Sequence, residues 1–122
     1  MKELLVIGLG GFLGSISRYA LQMFVSARVP YSFPLGTLVV NLVGSLLIGL
    51  FFGYIEKSHW FSPQVRVFLT IGFCGSFTTF STFAFENLEL LREGNYPNFI
   101  LYTVVSVAAG IALVWLGYSL AK

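Results

Sequence analysis

Charged residues gather at intervals along this chain, and four long apolar stretches run between them. The first covers positions 4 to about 26 and is interrupted by Arg18. The second, 35–54, is 20 residues without a charge. The third covers 65–91, with 19 uncharged positions from 67 to 85 and a weak point near 75–79. The fourth covers 97–120. A helix needs about 20 apolar residues to cross a bilayer, so each stretch predicts a transmembrane helix. The expected fold is an all-α membrane protein of four helices, the third broken near its middle, forming one domain over 1–122. Pro30 and Pro34 end helices in the first linker. Ser62 followed by Pro63 reads as an N-cap and first helical residue. Tyr54, Trp60, Phe61, Tyr96 and Trp115 fall near the expected water boundaries, where amphipathic rings settle. Arg18 breaks the first apolar run and no small-residue cleavage site follows, so a cleavable signal is not expected.

Composition narrows the class. The 122 residues are 57% hydrophobic and 10% charged, with a mean hydropathy of +0.85; soluble domains carry about 25% charged residues. Four crossings use about 80 positions, which leaves room for termini and loops alone. A net charge of +2 spread over both ends lacks the clustered basic face that a nucleic-acid partner requires. Cys74 has no disulfide partner within the chain, His59 stands alone, and no Cys/His grouping has metal spacing. No nucleophile–base pair is available to an enzyme. The loop charges set orientation. With four spans, Lys2, Lys57, Arg66 and Lys122 lie on one side and Arg28, Arg92 and a snorkelling Arg18 on the other. Topology is fixed by a clear Lys/Arg excess, and four against three is almost none. Either the chain inserts both ways round, or a fixed topology tolerates a weak bias.

Thirteen glycines, mostly inside spans, point to close helix packing, because lipid supplies no hydrophobic drive for helices to pair. Gly10-xxx-Gly14, Ser45-xxx-Gly49-xxx-Gly53 and Ser106-xxx-Gly110 are small-residue faces for contacts within the chain or between subunits. Four short helices can hardly enclose a water-filled path and still pack, so an oligomer is expected.

Positions 72–83 hold two Gly, five hydroxyl residues and four Phe, a composition foreign to a helix that merely sits in lipid. Gly75 with Thr78 and Thr79 weakens the helix locally. An unwound turn at membrane depth frees carbonyls that protein or an ion must satisfy, and a buried alkali-metal cation suits such oxygens. The alternative is an unbroken helix whose hydroxyls bond back to the preceding turn. Phe80 and Phe83, three apart, share a face; they are either ordinary packing or rings whose positive edges meet an anion. Ser81 and Thr82 add O–H donors beside them. Asn41 is either an anion donor or an interhelical bond. Tyr102 and Ser106, four apart, face one way, as donors to an anion or to neighbouring carbonyls. Arg18 costs about 2.5–3.5 kcal/mol at a span centre, and either holds carbonyls at a helix end or draws anions to a vestibule. Glu86, one turn past Thr82, marks the far mouth of that face or is simply the first solvated charge.

Together the glycine-rich segment with Arg18, the G-T-x-x-x-N segment from Gly36 to Asn41 and the 72–83 run resemble the Fluc/CrcB family of fluoride channels over the whole chain. The resemblance implies a fluoride-selective channel that passively exports F− across the bacterial cytoplasmic (inner) membrane and relieves fluoride toxicity. It implies an antiparallel, dual-topology homodimer in the lipid bilayer, with two pores and a structural Na+ at its centre. Carried over by motif position, Gly75 and Thr78 hold that Na+ through backbone carbonyls. Phe80, Phe83 and Asn41 line the pore, with Ser81, Thr82 and Ser106 as a polar track beside them. Tyr102 and Glu86 fall where pore-associated groups lie, and Arg18 matches the first-span arginine. Beyond Ser106 the fourth span continues with Ala108, Ala109 and Gly110, where a longer hydroxyl track would be expected. The competing expectation is a small multidrug-type cation/proton exporter of four spans. That class needs an acid inside the first span, where this chain has Arg18.

Overall fold

The computed structural model describes residues 1–29, 33–58 and 61–122; Pro30, His59 and Trp60, singled out above, lie outside the described residues. The helices are α1 (Lys2–Ser26), α2 (Leu35–Lys57), a composite third span and a final long helix. The third span is built of α3 (Pro63–Val67), a π-helical segment (Phe68–Cys74), α4 (Gly75–Phe77) and α5 (Phe80–Arg92), and α6 (Tyr96–Ala121) follows. Four helical stretches are long and apolar enough to cross a membrane, Pro63–Arg92 counting as one.

The ends of the third span follow from local chemistry. Ser62 caps α3 by accepting the Val65 N–H at 3.2 Å, with Pro63 in the first turn, where its missing N–H costs nothing. At the other end Gly94 adopts φ 71°, the left-handed turn glycine takes without a Cβ penalty. The Asn95 N–H then reaches the Leu90 carbonyl at 2.8 Å and the Gly94 N–H the Leu91 carbonyl at 3.0 Å, the paired closure of a Schellman motif.

The break falls later than Gly75. Gly75 is helical (φ −62°, ψ −30°), whereas Thr78 (φ −88°, ψ 158°) and Thr79 (φ −146°, ψ 116°) are extended. Two adjacent β-branched residues, which crowd a helix and suit extended backbone, therefore carry it. The Thr79 hydroxyl caps α5 by accepting the Thr82 N–H at 3.3 Å. Thr78 Oγ1 donates back to the Cys74 carbonyl at 3.1 Å, so the broken helix and the back-bonding hydroxyl coexist.

Glycines dictate which helices pair. A Cβ at Gly10 would lie 2.7 Å from the Phe68 carbonyl oxygen, and one at Gly14 would meet the Phe73 backbone; α1 thus lies directly on the π-helical segment. In the other pair, Gly53 of α2 faces the Tyr118 carbonyl oxygen at 2.7 Å, Gly49 meets the Val114 carbonyl, and Gly117 of α6 meets the Leu46 carbonyl. Residue numbers rise together in both pairs, so partners run parallel, as alternate spans must. The Gly10-xxx-Gly14 and Ser45-xxx-Gly49-xxx-Gly53 stripes are consumed within the chain, and Ser45 Oγ is 3.5 Å from the Cβ position of Gly110. The pairs join through a small cluster of Leu38, Leu90 and Tyr102, flanked by Phe33, Leu42, Phe83 and Phe99.

Candidate functional site

Beside the break, α2, the third span and α6 leave a cavity of about 420 Å³. Asn41, Ser45, Thr78, Thr79 and Ser106 give it polar atoms, while Phe80, Phe83, Ile48 and Val107 give it apolar walls. Gly75 and Cys74 also line it. Asn41 spans the break: its Oδ1 accepts the Thr79 N–H at 2.8 Å and its Nδ2 donates to the Thr79 carbonyl at 3.2 Å. One amide hydrogen remains for other use. Ser45 donates to the Asn41 carbonyl at 2.8 Å. Ser106 Oγ is buried without a hydrogen-bond partner among the described residues, as are Thr103 Oγ1 and Asn87 Oδ1, and an unpaired buried hydroxyl costs about 1–3 kcal/mol.

The rings follow one another in pairwise contact. Phe80 and Phe83 lie 5.8 Å apart between centroids, tilted by 43°, and Phe83 lies 5.0 Å from Tyr102 at 56°. Phe33 meets Tyr102 edge-on at 5.6 Å. Phe73 and Phe77 stack on each other instead, 5.6 Å apart and 13° from parallel. Phe80 is 79% exposed on the single chain, while Tyr102 is fully buried. Ser81 is exposed, and Thr82 is tied to Thr79 through its amide and, at 3.1 Å, its hydroxyl; neither is among the residues lining the cavity.

Near Tyr102 a second cavity of about 240 Å³ is lined by Gln22, Ser26, Thr37, Glu86, Glu89 and Glu93, among others. Its wall is a run of hydrogen bonds that touches every span. Glu86 accepts from the Tyr102 hydroxyl at 2.8 Å and from the Thr37 hydroxyl at 2.9 Å. Thr37 accepts from Gln22 Nε2 at 2.9 Å, and Gln22 Oε1 accepts from Arg18 at 3.2 Å. Arg18 also donates through Nε to the Ser76 carbonyl at 3.3 Å, within α4. Among the described residues the ion pairs are Met1–Glu3 at 3.9 Å and Arg92–Glu89 at 3.4 Å; Arg18 and Glu86 meet only through neutral groups. Glu86 is half-buried within a helix that runs on to Arg92, so it lies deeper than a first solvated charge.

By themselves Gln22, Thr37 and Ser45 carried no sign of a site role, although Thr37 and Ser45 fall in the segments singled out above. Spacing was the available signal: Gln22 is four residues past Arg18, and Thr37, Asn41 and Ser45 repeat every four positions along one face of α2.

The break suits a hard cation. The Thr79 N–H would ordinarily bond the Gly75 carbonyl, four residues back, but it is taken by Asn41. That frees the Gly75 carbonyl at an exposed position, and a Cβ on Gly75 would meet nothing beyond its own helical turn among the described residues nearer than the Thr70 carbonyl oxygen, at 3.9 Å. Among the described residues no group of three His, Cys, Asp or Glu could hold a metal, so the oxygens on offer are neutral carbonyls.

Such a chain, four apolar helices with a broken span and two cavities near one buried tyrosine, is a small multi-pass membrane protein. Residues 5–118 match the family model described as CrcB-like protein, Camphor Resistance (CrcB), and the chain belongs to that family. Curated relatives include a protein of Azobacteroides pseudotrichonymphae, 41% identical over 100% of this chain and 98% of its own length. Another, from Flavobacterium psychrophilum, is 44% identical over 100% and 98%, and a third, from Phocaeicola vulgatus, is 47% identical over 96% of each. All three are named fluoride-specific ion channel FluC.

Proposed function

We propose that this protein is a fluoride-selective channel that lets F− cross the cytoplasmic membrane passively and so relieves fluoride toxicity. The carrying observation is the cavity beside the break, where Asn41, Ser106, Phe80 and Phe83 line one space. An anion leaving water needs donors to replace its hydration; an amide N–H, a free hydroxyl and positive ring edges are such donors. F− is small and strongly hydrated, so closely spaced donors without a ring of positive side chains favour it over the larger Cl−. The printed name of the full-length relatives supports the same ion.

The working unit in this reading is an antiparallel homodimer with two pores. The nearly even Lys/Arg count supports insertion both ways round, and the exposure of Phe80 on the single chain leaves a partner surface beside the cavity. Gly75 and Thr78 of each copy would hold a structural Na+ through their backbone carbonyls, supplying a fixed positive charge at the dimer centre.

Fluoride efflux from liposomes containing the purified protein, followed with an ion-selective electrode, tests the reading. Rapid F− release with little Cl− release is expected. Equal rates for both ions would overturn the selectivity, and no release of either would overturn the channel.

A further inference from the structure

The hydrogen bonds between Arg18 and Glu86 all point one way. Arg18 has only N–H groups to give, so the oxygen of the Gln22 carboxamide must face it, as observed at 3.2 Å. That turns the Gln22 NH2 toward Thr37, 2.9 Å away. Thr37 Oγ1, 1% exposed, accepts there and has its single proton left for Glu86 Oε2 at 2.9 Å. The second carboxylate oxygen receives the Tyr102 hydroxyl. A cation on α1 and an anion on α5 thus satisfy each other through two neutral relays, and the cation's other bond holds the Ser76 carbonyl just before the break. Gln22 is the only member of the run that must both accept from a pure donor and donate to a hydroxyl, so it sets the polarity of the whole.

We infer that Gln22 is a positioning residue: its carboxamide fixes the direction of the Arg18–Gln22–Thr37–Glu86 run, and thereby holds Glu86 and Tyr102 beside the rings and Arg18 on the Ser76 carbonyl. The consequence for flux rests on the channel reading above; the consequence for stability does not.

Polarity predicts a rescue that packing alone does not. Gln22→Glu keeps shape and still accepts from Arg18, but it has no hydrogen for Thr37, whose one proton two carboxylates then compete for. Adding Glu86→Gln reverses the run. The new carboxamide on α5 donates to Thr37, and Thr37 donates to the new carboxylate on α1. Tyr102 still finds an acceptor in the oxygen of that carboxamide. Net charge is that of the starting protein. Gln22→Met removes both hydrogen bonds of the Gln22 relay at similar length and leaves Glu86→Gln nothing to complement.

The test measures fluoride efflux from liposomes and thermal unfolding in detergent for wild type, Gln22→Glu, Glu86→Gln, the Gln22→Glu/Glu86→Gln double variant, and Gln22→Met with and without Glu86→Gln. Expected are roughly tenfold slower efflux and a melting point several degrees lower for Gln22→Glu, about the shift of 1 kcal/mol in a chain this size, with both largely restored in the double variant. No restoration is expected in the Gln22→Met background. A double variant no better than its worse parent, or a Gln22→Glu protein that matches wild type in both readouts, overturns the inference. Should wild type pass no fluoride, the channel reading fails and the unfolding series alone decides the role of Gln22.

Discussion

Asn41 grips Thr79 at both ends of its amide, taking the backbone N–H at 2.8 Å and giving an N–H to the carbonyl at 3.2 Å. One side chain of α2 thereby takes the N–H whose helix bond Thr79 forgoes by turning extended, and gives its carbonyl a donor as well. It also keeps two backbone groups satisfied at a depth where lipid offers no partner.

Asn41→Asp therefore separates the two roles. The aspartate still accepts the Thr79 N–H, but it presents an oxygen where Nδ2 met the carbonyl. Loss of one buried partner costs about 1–3 kcal/mol, so thermal unfolding in detergent should fall by several degrees. Unchanged unfolding would mean that the break is held by something other than this grip.

Phe80 and Phe83 should part company under substitution. Phe80 is largely exposed on the single chain, whereas Phe83 packs on Tyr102 at 5.0 Å. Phe83→Ile loses an aromatic pair worth about 0.5–1.5 kcal/mol and should lower the melting point. Phe80→Ile should not lower the stability of the chain itself. If both rings meet the permeating anion, both variants should slow fluoride efflux at least tenfold, while chromatography shows assembly intact. Wild-type efflux from either would remove that ring from the path.

The Gly75 carbonyl, released when Asn41 captures the Thr79 N–H, predicts a dependence on the cation present. If it and the Thr78 carbonyl hold Na+, exchanging Na+ for a large organic cation should lower the melting point of the assembled protein. A cation that binds the folded state adds about 2.7 kcal/mol at a hundred times its dissociation constant, so titrated Na+ should raise the melting point in a saturable way. A flat response over the same range would place the structural charge elsewhere.

The four spans were readable because hydropathy alone decides them, and the charges at their ends need no knowledge of packing. The break was readable as a region, 75–79, while the partner that holds it was not. Gly75 draws attention by its propensity, yet Thr78 and Thr79 leave the helix because Asn41, 38 residues away, has the groups to receive them. The wide winding of Phe68–Cys74 left no sign in the sequence that we recognised; it lies where α1 presses Gly10 and Gly14 against backbone. The roles of Gln22 and Thr37 were hidden for a similar reason. Each is an ordinary neutral residue near a helix end, and it becomes part of a site only when partners 15 and 49 residues apart in sequence are brought together. Single-residue chemistry can be read locally; a relay between helices cannot.

The two helix pairs make a sharper demand on glycine than the number of glycines suggests. At Gly49 and Gly117 an added methyl would strike the backbone carbonyls of Val114 and Leu46, and no side chain is there to swing aside. Relief requires α2 and α6 to separate, which loosens the contact that substitutes for a hydrophobic drive in lipid. Gly8, by contrast, has nothing among the described residues within 4 Å of its Cβ position. Overpacking costs about 1–3 kcal/mol, whereas alanine in an open helical position gains up to about 1 kcal/mol over glycine. Gly49→Ala and Gly117→Ala should each lower the melting point and the yield of folded protein, and Gly8→Ala should leave both unchanged or slightly raised. Equal behaviour of all three would mean that α2 and α6 do not approach as closely as their glycines allow.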